Sequence, residues 1–434
     1  MKSILISSLL TALCTQVAMA EDLTATRPEM KRVISELKQR TSRLPLPSPT
    51  AEEVASGKSL VNNGRLRSLY LPPSWQSFTI AGWGGGRNRS TAATLKTLQQ
   101  SPDYAFKTRL FWIVSRTNDC KYCLGHQELK LRRAGMSENE IASLDSRWEL
   151  FAPAEQASMK VARELTINPH SISQSDLDAM KSFYTDLQMT DLLYTIARYN
   201  CVNRWTSATG IPQDQEFGGE DSNLETPTSD EFSTIRSKVA PFDHQSRPEW
   251  ESREQFEAAL EAARNRTALV KMPSMEQARR VLGQDSPGVI PPNWFQAISG
   301  LPIALDAWAQ RQALIRDGQT PADLRILIAW ISARENRAWY SASHVLERIR
   351  SAGLDESKCY SFADLESTFR QPGYPEAIRF ARKLTCYPHA IEDADVEQLK
   401  THFSTHQIAE IIHLIADANA FDRLTESLRL PLDR

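Results

Sequence analysis

Positive charge is not in surplus. The chain has 51 Lys and Arg against 53 Asp and Glu, a formal net charge of −2. A protein that tracks a phosphate backbone carries a basic excess, so nucleic acid is a poor candidate partner. Long apolar runs are missing beyond the N-terminus, where none approaches the roughly 20 residues of a membrane helix. Strand-like alternation is scarce, which argues against sheets. Six cysteines in 434 residues are too few for a disulfide scaffold, so their positions carry the information. What is present is ordinary for a folded chain, with 41% hydrophobic and 24% charged residues. The length suffices for two domains of about 150–200 residues, each with its own core.

The N-terminus reads as a secretory signal peptide over residues 1–20. Met1-Lys2 is a short positive start, residues 4–13 are mostly apolar, and Ala18-Met19-Ala20 is a small-x-small cleavage site. Cys14 would leave with this segment. The expected product is secreted or periplasmic, in an oxidising compartment, with no membrane segment after cleavage.

The chain repeats itself at an offset of 218 or 219. Pro72-Pro73-Ser74-Trp75 returns as Pro291-Pro292-Asn293-Trp294, Trp112-Ile113 as Trp330-Ile331, and Ala134-Gly135-Met136 as Ala352-Gly353-Leu354. Ala162-Arg163 returns as Ala381-Arg382, Pro169-His170 as Pro388-His389, and Arg204 as Arg423. Order and spacing are both kept, which indicates a tandem duplication. The expected division is a first copy over 21–212, an acidic linker over 213–236 and a second copy over 237–434.

Both copies read as helical. Residues 106–116 are apolar at helical spacing without Gly or Pro. Gly135 closes one helix and Ser137-x-x-Glu140 is a capping box that opens the next. Residues 154–165 are rich in strong helix formers, and 173–199 keep Leu and Ile at i, i+3 and i+4. The second copy repeats the pattern over 322–350 and 375–384. The predicted fold is all-α, with two tandem helical bundles.

One stretch carries chemistry. Asn118-Asp119-Cys120-Lys121-Tyr122-Cys123-Leu124-Gly125-His126 sets Cys120, Cys123 and His126 three apart, neighbours along one helix face. A helix N-terminus and a nearby imidazole both favour a thiolate. A thiolate attacks a peroxide and becomes a sulfenic acid, which a second thiol converts to a disulfide. In the second copy Cys120 aligns with Ala338, Cys123 with Ser341 and His126 with His344, so the fold does not need the thiols. Leu124 stands where a c-type haem site needs histidine. A zinc site on Cys120, Cys123 and His126 would lack a fourth ligand, and a purely structural disulfide is the other alternative.

This stretch, with the apolar helix before it and Ala134-Gly135-Met136 and the capped helix after it, resembles the carboxymuconolactone decarboxylase and alkylhydroperoxidase D-like superfamily. The resemblance runs from Leu71 to about Pro212, and more weakly from Pro291 to Leu430. It implies an all-helical unit that assembles into homo-oligomers. It also implies an antioxidant, peroxiredoxin-like peroxidase that needs no cofactor, acting on a peroxide and drawing electrons from an external thiol. By that pattern Cys123 would attack, Cys120 would resolve, and His126 would shuttle or orient a proton. Where peroxidase members carry a relay glutamate this chain has Thr108, flanked by Lys107 and Arg109, either of which could lower a thiol pKa. Tyr122 and Gln127 stand where many members have histidine. The superfamily also contains decarboxylases, so a lyase acting on a small carboxylated substrate is an alternative. A non-catalytic exported binding protein stapled by a disulfide is another. The second copy is expected to complete an internal pseudo-dimer.

His170 and His389 share a position after proline and read as structural. Cys201 reads as a buried apolar residue, or else as a third thiol near the pair. Cys359 and Cys386 could form a disulfide. Asn200 and Arg204 recur as Asn419 and Arg423 and read as bonds between helices. Gly82-Trp83-Gly84-Gly85-Gly86 lacks phosphate-loop spacing and reads as a loop.

Overall fold

The computed structural model describes residues 26–55, 61–76, 102–214, 229–239, 248–283 and 288–433. The signal segment, the glycine run at 82–86 and residues 215–228 lie outside the described residues. The chain is all-α. A bridge between Thr26 and Arg236 is the one extended pairing among the described residues. No described helix is long and apolar enough to cross a membrane.

The first half holds α1 (Arg27–Glu36), α2 (Ala51–Ala55), α3 (Asn62–Tyr70), α4 (Tyr104–Thr117), α5 (Lys121–Arg133), α6 (Glu138–Ser146), α7 (Pro153–Ile167), α8 (Gln174–Lys181) and α9 (Asp186–Thr209). Then come α10 (Asp230–Ser233), α11 (Arg253–Arg264), α12 (Met275–Leu282), α13 (Asn293–Ile298) and α14 (Ala304–Arg316). The second half continues with α15 (Ala322–Glu335), α16 (Trp339–Ser351), α17 (Phe362–Thr368), α18 (Tyr374–Cys386), α19 (Asp393–Lys400) and α20 (Thr405–Ser427). Helices α4–α9 thus recur in order as α15–α20.

Local signals set the helix ends. Asp103 accepts from the Phe106 N–H at 2.8 Å to open α4. The predicted Ser137–Glu140 capping box opens α6, and Gly135 before it has φ 92°. The single helix read over 173–199 is in fact two. Thr185 and Gln188 form a capping box that starts α9 afresh, and the helix then runs on to Thr209. The run over 322–350 also breaks, because Arg337 adopts φ 47° between α15 and α16.

The long helices α9 and α20 pack against each other at the centre and are buried on nearly all sides. Buried polar groups call for internal partners, and several on these helices find them in matched pairs. Arg204 Nη1 donates to Asn200 Oδ1 at 3.0 Å, and its Nη2 crosses to the carbonyl of Thr385 at 3.0 Å. Arg423 Nη1 donates to Asn419 Oδ1 at 2.9 Å, and its Nη2 crosses to the carbonyl of Thr166 at 2.9 Å. Asn200 donates to Thr166 Oγ1 and Asn419 to Thr385 Oγ1, both at 3.0 Å. The two halves clasp each other through these reciprocal bonds.

Two features of the sequence repeat and its boundaries need correction. Pro72–Trp75 and Pro291–Trp294 are not structural equivalents. Asn62 and Asn63 hold the position of Asn293 and Trp294: the Asn63 and Trp294 N–H groups donate to the hydroxyls of Tyr122 and Tyr340. Asn62 and Asn293 N–H donate to Asp214 and Asp433. Trp75 instead docks across the halves, where a Cβ at Gly318 (φ 106°) would lie 2.9 Å from its ring, and Ser74 donates to Asp317 at 2.6 Å. The second correction concerns the expected linker, whose ends are bolted to the first half. Gln213 and Asp214 are buried, Ser237 donates to Asp145, and the Lys238 N–H donates to the Asp145 carbonyl at 2.9 Å.

Replacing Arg204 or Arg423 with Met strands a buried carbonyl and an amide oxygen. Each change should lower the unfolding free energy by about 2–4 kcal/mol in urea denaturation. His413 on α20 gives a pH dependence. It is fully buried between Trp75 and Trp205, and neither ring nitrogen has a hydrogen-bond partner among the described residues. Burial, helped by the charge of Arg67, holds its pKa well below the usual 6.5. The unfolded chain therefore binds the extra proton first, so this contribution is present above pH 6.5 and is lost as pH falls. Between pH 7.5 and 5.5 it should cost about 1.4 kcal/mol, and His413→Phe should remove that part of the loss.

Candidate functional site

The thiols sit where α4 turns into α5. Asn118 caps α4, Asp119 takes a left-handed φ of 51°, and Cys120 becomes the N-cap of α5. The Cys120 N–H closes the turn on the Ser115 carbonyl at 2.8 Å. The same turn occurs at Asn336-Arg337-Ala338, where Ala338 N–H reaches Ala333 at 2.9 Å. Asn118 fixes the turn to α9, donating to Asn200 Oδ1 at 3.1 Å and Asn203 Oδ1 at 3.0 Å.

Cys120 and Cys123 come within 2.9 Å of each other, and both are unbridged. The Thr206 hydroxyl on α9 lies 3.0 Å from Cys120 Sγ and 3.2 Å from Cys123 Sγ. Exposure is 1% at Cys120 and 2% at Cys123, so water is largely excluded from the pair. The two thiols differ electrostatically. Burial opposes ionisation of Cys120, but bonds from the Cys123 thiol, the Thr206 hydroxyl and the Cys123 main-chain N–H outweigh it and bring its pKa below the usual thiol value. Burial and the neighbouring Cys120 push Cys123 well above that value. These surroundings favour ionisation of Cys120 over Cys123, the reverse of the order that the resemblance implies. Both thiols stand in the first turn of α5, and the difference lies in acceptance: Cys120 receives the Cys123 thiol and the Cys123 main-chain N–H.

His126 turns towards the backbone and a carboxylate. Its Nδ1 lies 2.9 Å from the Tyr122 carbonyl, and its Nε2 lies 3.1 Å from Asp214 Oδ2. Tyr122 donates to the same Asp214 oxygen at 2.7 Å. The second half repeats this triad: Tyr340 donates to Asp433 at 2.8 Å, and His344 Nε2 lies 3.0 Å from it. A constellation shared with the thiol-free half serves to anchor the helix.

Lys107 and Arg109 are not the cations of the site. Lys107 is buried against Asp191 at 2.6 Å, and Arg109 pairs with Glu155. Lys130 is the cation that interacts with Cys123 instead. Burial brings its pKa down to about 8, and Cys123 opposes that shift. Lys130 lies seven residues beyond Cys123, so helical periodicity could have flagged it. Thr206 and Asp214 were also legible as repeats, at Thr425 and Asp433. The remaining cysteines stand apart. Cys201 is fully buried with its pKa raised by that burial. Cys386 donates to Glu335 at 3.2 Å, Cys359 contacts the Asp355 carbonyl at 3.5 Å, and no disulfide joins them. Among the described residues no group of three His, Cys, Asp or Glu is placed to hold a metal ion.

In comparisons with known proteins, no family model matches the chain and no curated protein matches it.

Thr206→Val removes a hydrogen bond to the Cys120 thiolate without changing volume. The pH midpoint for Cys120 alkylation, read by mass spectrometry, should move upward, and the rate at neutral pH should fall several-fold.

Proposed function

We propose that the chain is an exported thiol peroxidase of the alkylhydroperoxidase D-like kind, working through Cys120 and Cys123. The observation that carries this reading is the pair itself: Cys120 and Cys123 lie within 2.9 Å of each other at the start of α5, both against the Thr206 hydroxyl. In the proposed cycle the Cys120 thiolate attacks the outer peroxide oxygen and the O–O bond breaks. Cys120 becomes a sulfenic acid and the alkoxide takes up a proton to leave as alcohol or water. Lys130, its pKa brought down to about 8 by burial, is the candidate donor of that proton. The Cys123 thiol then condenses with the sulfenic acid, releasing water and closing a disulfide. An external thiol donor supplies two electrons to reopen it. Thr206 holds both sulfurs in line, while His126, Tyr122 and Asp214 fix the helix that bears them. Because both sulfurs are nearly enclosed, the substrate is a small peroxide, hydrogen peroxide or a short alkyl hydroperoxide.

The test is thiol mass spectrometry after one equivalent of hydroperoxide is added to the reduced protein. A Cys120–Cys123 disulfide should form within seconds. Cys120→Ser should abolish peroxide consumption, and Cys123→Ser should stop at a sulfenic acid on Cys120. Oxidation no faster than that of free cysteine would overturn the reading, and consumption that survives in Cys120→Ser would reassign the attack to Cys123.

A further inference from the structure

A cleft between the two halves plays no part in the peroxidase reading. It lies where α9 meets α14 and α20, and has a volume of about 40 Å³. A site that size holds about three or four waters at roughly 10–15 Å³ each, or about four to six covalently bonded heavy atoms, which sit closer together than waters. Its walls are flat and apolar: Trp294 and Phe421 meet edge to face at 5.6 Å, with Tyr194 opposite.

Its floor is charged and unevenly balanced. Asp417 accepts from Arg198 Nη1 at 2.6 Å and from Arg311 Nη1 at 3.3 Å. Two guanidinium groups therefore share one carboxylate. The Arg311 guanidinium is also stacked on Phe421, with Cζ 3.6 Å from the ring centroid. It is held in place while its Nε and Nη2 donate to no described residue. Beside it Gln310 is 5% exposed, lines the same cleft, and its Nε2 has no hydrogen-bond partner among the described residues. A buried amide donor and a clamped guanidinium thus line a small, largely apolar space.

We propose that this cleft binds a short-chain monocarboxylate, with its carboxylate on Arg311 and Gln310 and its alkyl end against Trp294 and Phe421. The Arg311 guanidinium and the Gln310 amide together match one carboxylate, and the volume limits the ligand to about two to four carbons. Arg348, the counterpart of Lys130, adds to the positive field. Burial and the charges of Arg311 and Arg325 lower its pKa to about 10. The proposal is independent of the peroxidase reading, since no thiol takes part.

The probe is propionate, titrated into the full chain and followed by line broadening of its NMR signals. Saturable binding at one site is expected at or below about 1 mM, with neutral propionamide and inorganic phosphate failing to compete. Arg311→Met and Gln310→Leu should each weaken binding by roughly tenfold or more, while the Cys120→Ser, Cys123→Ser double change should leave it intact. Circular dichroism establishes that each variant is folded. Gln310→Leu alters no charge, so it carries the test should Arg311→Met not fold. Absence of broadening at about 10 mM propionate, preference for phosphate, or full binding in a folded Gln310→Leu protein would overturn the proposal.

Discussion

The clasp between α9 and α20 is the constraint on which the molecule depends. Two guanidinium groups leave their own helices to satisfy carbonyl oxygens in the opposite half. Those carbonyls end α7 and α18, so the clasp sets where four helices stand relative to one another. The thiol site inherits this geometry. Asn200 and Asn203 hold the turn before Cys120, and Thr206 touches both sulfurs. All three lie on the same helix as Arg204, within about two turns of it. Loosening the clasp would therefore reach the sulfurs without touching them.

The same burial that fixes the site divides its two thiols. In a water-poor space the charge of one sulfur is a large perturbation on the other, so the pair cannot ionise together. The bonds that Cys120 receives from the Cys123 thiol and main-chain N–H tilt the balance towards Cys120. The thiol-free half shows what the scaffold keeps without this chemistry. The left-handed turn, the tyrosine–aspartate–histidine anchor and the threonine all remain, with Ser341 Oγ 3.4 Å from Thr425 Oγ1 where Cys123 and Thr206 meet in the first half.

Much of this was legible in the residues because helices write their boundaries locally. The capping box at Ser137–Glu140 and the closing glycine at 135 could be read at sight, and so could the all-α class. The break before α9 was missed because Leu and Ile keep helical spacing through it, whereas the cap at Thr185 depends on a side chain folding back. The thiols were found by spacing, but their order of acidity was not. That order rests on which thiol donates to the other inside the folded and buried turn, which spacing does not show. Asp214 was assigned to a linker because glycine and acidic residues follow it. Its role depends on Tyr122 and His126, which reach it only after folding. The Pro-Pro-x-Trp match shows the opposite failure: a strong local likeness whose two tryptophans do different work.

Arg198 and Asp417 lie 219 positions apart, the interval of the sequence repeat, and they face each other. In a dimer of identical chains, a residue at such a place meets its own copy, and arginine would oppose arginine. Joining the halves in one polypeptide lifts that restriction. One side can become a cation and the other an anion, and the axis that would have been a line of self-repulsion becomes an attractive contact. The covalent connection thus fixes which half is which, because two first halves or two second halves brought together on this face would each bury like charges.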